Sequence, residues 1–182
     1  NAFRGCSALS YVRFPEGWVF RSADLTRMGI PDNYVEQFKT TDNNWIIMGS
    51  TLIAYVGDEN VTTLTVPDGI DIIDDEALAD LYCLQTVTFA GTERIIGKRA
   101  FYECTDLEHV ELPETVETIE ESAFENCTWI DDVYFPTELK TVGKKAFKGC
   151  GQLLECAFYE GFESIGDNAF EGCWRMLSAN LP

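Results

Sequence analysis

Seven cysteines, a single histidine and 31 aspartate and glutamate side chains are the residues of this chain with the widest chemical repertoire. Cys104, Cys127, Cys150 and Cys173 stand 23 residues apart, each closing a stretch such as "IGKRAFYEC" (Ile96 to Cys104). Thiolates hold zinc when several gather round one point, form disulfides, or attack as nucleophiles beside a histidine base. A fixed spacing strings them along a line instead. The same column also accepts Leu81, and leucine neither ligates a metal nor attacks a carbonyl. The column therefore reads as small, polarizable core filler. Disulfides between neighbouring repeats stay an alternative, since adjacent in-register strands fall within bridging range, although parallel side chains point the wrong way. An odd total leaves at least one thiol free or paired between chains. Cys83, whose repeat mates are Asp106, Trp129, Gln152 and Arg175, reads as an exposed thiol open to modification.

Nucleophilic catalysis with a histidine base would require His109. Its column is otherwise filled by Thr86, Asp132, Glu155 and Ser178, a variable surface position without the fixed neighbours a base needs. Carboxylate pairs, as in "DDEALAD", follow from composition alone. No glycine-rich phosphate loop, H-E-x-x-H or G-x-S-x-G stretch occurs. The chain reads as non-enzymatic, with no catalytic, metal or cofactor site expected. Asn60-Val-Thr and Asn126-Cys-Thr fit the glycosylation pattern, which matters only in a eukaryotic source.

What carries these residues is a repeat. Ala77, Ala100, Ala123, Ala146 and Ala169 are 23 residues apart, with Ile73, Ile96, Ile119, Val142 and Ile165 four residues before them and Leu78, Phe101, Phe124, Phe147 and Phe170 just after. Downstream of each cysteine position comes L-x-x-V-x-L, as in Leu107, Val110 and Leu112, whose closing alternation predicts a short strand buried on one face. Proline follows at Pro113, Pro136 and Pro182, where it ends a strand without breaking a ladder. A 23-residue unit cannot enclose a core by itself, so the repeats must stack and lend their apolar faces to one another. Val61, Leu64 and Val66 continue the register upstream, and "AFRGCSALSYVRFP" (Ala2 to Pro15) is a further unit. The expected organisation is one repeat domain over 1–182. It comprises a repeat at 1–17, an irregular insert at 18–60 with a β-hairpin at 45–56, and contiguous repeats over 61–182.

The pattern I-G-x-x-A-F-x-x-C-x-x-L-x-x-V-x-L-P resembles the BspA-type leucine-rich repeat, also called the Treponema pallidum type, over residues 1–15 and 61–182. Leu78 and Leu81 in place of Phe and Cys, Cys156 in place of Val, and Ala90 and Tyr159 in place of Pro are its departures. The resemblance implies a leucine-rich-repeat solenoid: a right-handed, β-rich superhelix with a concave parallel sheet and short helical turns or loops on the convex side. It also implies a secreted or cell-surface protein, usually bacterial or protozoan, that binds other macromolecules.

Thirteen basic against 31 acidic residues give a net charge of -18, which repels nucleic acid and anionic membrane surfaces. No stretch is long and apolar enough to insert in a membrane, and the first residues do not read as a signal peptide. The chain opens inside a repeat and stops just after a strand, without obvious polar caps, so it is expected to be part of a longer array. The side chains flanking the central valine of each strand must point away from the core. They give the candidate binding residues Thr86, Thr88, His109, Glu111, Asp132, Tyr134 and Glu155, an acidic face with one tyrosine. A protein ligand carrying basic residues is the expected partner, a glycan stacked on exposed aromatics the alternative, and a passive spacer the third reading.

Overall fold

The computed structural model describes Thr40 and residues 44–182. The repeat expected at 1–17, with Cys6, and the insert up to residue 43, apart from Thr40, lie outside the described residues. β1 (Trp45–Met48) and β2 (Thr51–Tyr55) pair antiparallel about Gly49-Ser50. Gly49 takes the left-handed backbone conformation, φ 64°, that the tight reversal needs.

From there each rung contributes two strands. The L-x-x-V-x-L stretches form β3 (Thr63–Thr65), β5 (Thr86–Thr88), β7 (His109–Glu111) and β9 (Asp132–Tyr134), a four-stranded parallel sheet. β11 (Glu155–Ala157) and β13 (Ser178–Asn180) follow as a separate two-stranded ladder. A second parallel sheet, which the sequence pattern did not predict, runs through the isoleucine column: β4 (Ile72–Ile73), β6 (Ile95–Ile96), β8 (Thr118–Ile119), β10 (Thr141–Val142) and β12 (Ser164–Ile165). It continues the hairpin in the order β1-β2-β4-β6-β8-β10-β12. The result is a β-solenoid of about six turns, each residue lying beside its counterpart 23 positions on, as in Ile73 with Ile96 and Val87 with Val110.

No helix occurs among the described residues; the short stretches between strands are turns. The reason is local. Glu76, Arg99, Ser122, Lys145 and Asn168 all sit at φ between 56° and 59°, and four residues later Asp80, Glu103, Asn126, Gly149 and Gly172 are left-handed again. Two left-handed residues in each rung flank the Ala-Phe pair and stop a right-handed helix before it can propagate.

The Ala-Phe pair points inward. Phe101, Phe124 and Phe147 are fully buried, and successive rings stack nearly parallel, with centroids 4.9 and 5.1 Å apart and Phe170 a further 5.4 Å on. Cys127 and Cys150 are fully buried beside them, and their thiols donate to the carbonyls of Phe101 and Phe124 at 3.0 and 3.2 Å. Where Asp74 and Glu120 carry side chains, the rung above has glycine, Gly97 and Gly143. A Cβ on Gly143 would lie 2.5 Å from the carbonyl carbon of Glu120.

Two buried carboxyl side chains, Asp74 and Glu93, depart from the apolar pattern. Glu93, fully buried in the column of Ile70, Val116 and Leu139, accepts the backbone N–H groups of Ala90, Gly91 and Thr92 at 3.0 to 3.1 Å. The following rungs have Pro113 and Pro136 at the Ala90 position, which bring no N–H to satisfy. The carboxylate thus meets the donors that the loss of proline exposes.

Truncating Phe124 to alanine opens a void between two rings that are held by their own rungs, and is expected to lower stability by roughly 3 to 5 kcal/mol in denaturant titrations. Cys127→Ala should cost distinctly less; an equal loss would mean that the ring column does not dominate the core. Gly143→Ala, one methyl group, is expected to destabilise the chain by about 1 to 3 kcal/mol because the backbone of the rung below must move. A neutral result would show that the rungs separate freely.

Candidate functional site

The central residue of each first-sheet strand is buried and its neighbours face solvent: Thr63 and Thr65 about Leu64, Thr86 and Thr88 about Val87, His109 and Glu111 about Val110, Asp132 and Tyr134 about Val133. The ladder sets Thr63 beside Thr86, Thr86 beside His109, His109 beside Asp132, and Glu111 beside Tyr134. Thr63 and Thr65 belong to these columns, although the sequence reading did not include them. The register of Val61, Leu64 and Val66 with the later repeats held the signal.

Five of the seven expected residues line one groove of about 580 Å³: Thr86, Thr88, His109, Glu111 and Tyr134. A step in side-chain size creates it. The rung of β5 offers threonines and then Gly91, whereas the next two rungs stand taller with His109, Glu111, Glu114 and Tyr134. Half-buried Phe89 and Pro113 supply apolar surface within it. Asp132, beside His109 on the sheet, and Glu155 do not line the groove. Glu155 sits on the separate β11–β13 ladder, where Ser178 Oγ lies 3.4 Å from its carboxylate.

Glu114 is the member of the site that the sequence did not signal. The Tyr134 hydroxyl donates to its Oε1 at 2.5 Å, and the Thr137 N–H and hydroxyl both donate to its Oε2 at 3.0 Å. The tyrosine ring at the rim is thereby anchored. His109 Nδ1 lies 3.2 Å from Asp131 Oδ1, an ion pair when the imidazole is protonated.

Charge divides between the two sides of the solenoid. Among the described residues the first sheet's exposed columns carry Glu111, Asp132 and Glu155 and neither lysine nor arginine. The basic residues from 94 to 148 sit on the opposite side, beside the second sheet, where columns alternate in sign: Asp71, Arg94, Glu117, Lys140, Glu163, and Asp75, Lys98, Glu121, Lys144, Asp167. Glu117 accepts from Lys140 Nζ at 2.6 Å and from Arg94 Nε at 2.9 Å, which holds its carboxyl below the usual range. Lys98 Nζ reaches Glu121 at 2.9 Å, Arg99 reaches Glu76 at 3.4 Å and Lys148 reaches Glu171 at 3.2 Å.

The described cysteines are all free thiols. Burial pushes Cys104 up to about 12 and Cys173 to about 11, and raises Cys127 and Cys150 as well, so these thiols stay protonated at neutral pH. Cys83, expected to be exposed, is half-buried. Among the described residues no three His, Cys, Asp or Glu side chains converge as a metal site, and no helix is long and apolar enough to cross a membrane.

The Tyr134–Glu114 anchor has a defined pH window. The tyrosine and threonine donors hold the Glu114 carboxyl below its ordinary 4.5, and the bond to Glu114 raises the Tyr134 hydroxyl above 10.0. A lowered carboxyl contributes stability that is lost as pH falls through the lowered value; a raised phenol contributes stability lost as pH rises through the raised one. Carbon NMR of Tyr134 Cζ should therefore show the hydroxyl ionising above the ordinary 10.0 of a phenol. A midpoint at or below 10.0 would show that the anchor is not formed.

A family model described as "BspA type Leucine rich repeat region" matches residues 53–177 in six copies. Among solved structures, a leucine-rich repeat protein of T. pallidum is 28% identical, with a TM-score of 0.69 over 79% of this chain and 66% of that one. One from Bacteroides ovatus is 28% identical, with a TM-score of 0.64 over 73% of this chain and 36% of that one. A leucine rich cell surface protein of Faecalibacterium prausnitzii shares the fold at 21% identity and a TM-score of 0.50, over 75% of this chain and 45% of that one. The chain thus spans less than two thirds of each of these proteins. No curated protein matches it. With its columns stacked rung on rung and the family model over more than half its length, the chain belongs to the BspA-type leucine-rich repeat family.

Proposed function

We propose that this chain is a non-catalytic binding or adhesion module of a secreted or cell-surface protein, meeting a basic protein ligand on the exposed face of the first sheet. The observation that carries the reading is the charge division: among the described residues this face presents Glu111, Asp132 and Glu155 without lysine or arginine, whereas the opposite side answers much of its acidic charge through ion pairs. Carboxylates of one sign steer a basic partner towards the sheet, and an anchored aromatic such as Tyr134 is the kind of side chain that dominates interface energy. The surface location rests on the family and on the similarly folded cell surface protein of F. prausnitzii.

A glycan ligand is the second reading. Tyr82, Trp129, Tyr134, Tyr159 and Trp174 are exposed, and aromatic faces of this kind stack on sugar rings. A glycan array run beside pull-downs from host or matrix extracts separates the two, and silence in both favours a passive spacer.

For a captured protein ligand, Tyr134→Ala should weaken binding by more than about 1 kcal/mol. Glu111→Lys with Asp132→Lys should slow association at low salt, with the difference shrinking as salt is added. Unchanged affinity and rate in both variants would move the binding site off this sheet.

A further inference from the structure

The groove beside β5 and β7 differs from the rest of the acidic face in being concave, partly apolar and bounded by an anchored ring. We infer that it is a receptor site for a single arginine side chain of the partner. This rests on the basic-ligand reading above and narrows it to one residue type at one place.

Three features select arginine. Phe89 and Pro113, both half-buried, offer apolar surface for the methylene stem, which long cationic side chains bury while keeping the head polar. Glu111 offers a carboxylate for the head and makes no ion pair with lysine or arginine among the described residues. Tyr134, its ladder neighbour, offers an aromatic ring whose position is held by the hydroxyl bond to Glu114. A guanidinium group is planar, weakly hydrated, pairs bidentately with carboxylate and stacks on aromatic rings; an ammonium group, a compact and strongly hydrated charge, does only part of this. A neutral ligand would leave the Glu111 charge unanswered in the groove.

The test uses the whole chain with two probes of equal charge, hexa-arginine amide and hexa-lysine amide, in calorimetric titrations at about 50 mM salt, where surface electrostatics are weakly screened. Hexa-arginine is expected to bind about tenfold more tightly than hexa-lysine. Glu111→Gln and Tyr134→Ala, both surface substitutions whose folding thermal melts verify, should each remove most of that preference. Asp132→Asn, outside the groove, should weaken both peptides alike and keep the ratio. Equal affinities in the unaltered chain, both falling with salt, would overturn the arginine site while leaving the basic-ligand face intact. A preference that survives both groove variants would overturn its location. Displacement of hexa-arginine by the neutral sugar maltohexaose would reassign the groove to a glycan, and failure of both peptides to bind would overturn the inference together with the reading beneath it.

Discussion

The rings of Phe101, Phe124, Phe147 and Phe170 lie flat against one another from rung to rung, and that contact constrains everything else. Parallel rings near 5 Å, spaced like neighbouring strands, require the rungs to repeat in register. Once register is fixed, the thiols of Cys127 and Cys150 meet the carbonyls of Phe101 and Phe124 in the preceding rungs, and a second sheet closes behind the isoleucines. A one-residue slip would break all of these together. The left-handed residues on either side of the Ala-Phe pair serve the same constraint, because they hold the chain in a tight turn that aims the ring inward.

The columns were legible because each position keeps its chemistry over several copies, and a repeated apolar position has few explanations other than a shared core. Phe124, Cys127 and Val133 fall where the pattern puts them. The second sheet was not legible. Its strands are two residues long, too short for an alternation to register, and Thr118-Ile119 reads as readily as part of a turn. Glu93 was hidden for a different reason: a lone glutamate reads as surface, and only the backbone donors around Ala90 explain its burial.

The outward-facing columns could be placed from alternation alone, since flanking a buried valine determines direction. The groove could not, because it depends on relative size between rungs, threonine and glycine on one and histidine, glutamate and tyrosine on the next two. The Glu114 anchor joins residues 20 positions apart, off the 23-residue register, so no column displays it. The candidate site is therefore written in the exceptions to the repeat, while stability is written in the repeat itself.

The alternating columns behind the second sheet have a consequence for how the molecule looks from a distance. Rungs about 4.8 Å apart make a charge pattern that recurs every ~9.6 Å, and the potential of such a pattern dies away over ~1.5 Å, the repeat divided by 2π. The acidic columns of the first sheet share one sign, so their potential reaches out to the screening length of about 8 Å at physiological salt. Each of the two alternating columns holds three acidic residues to two basic ones, so the back keeps only a small surplus of negative charge, whereas no cation interrupts the described carboxylates of the face that holds the groove.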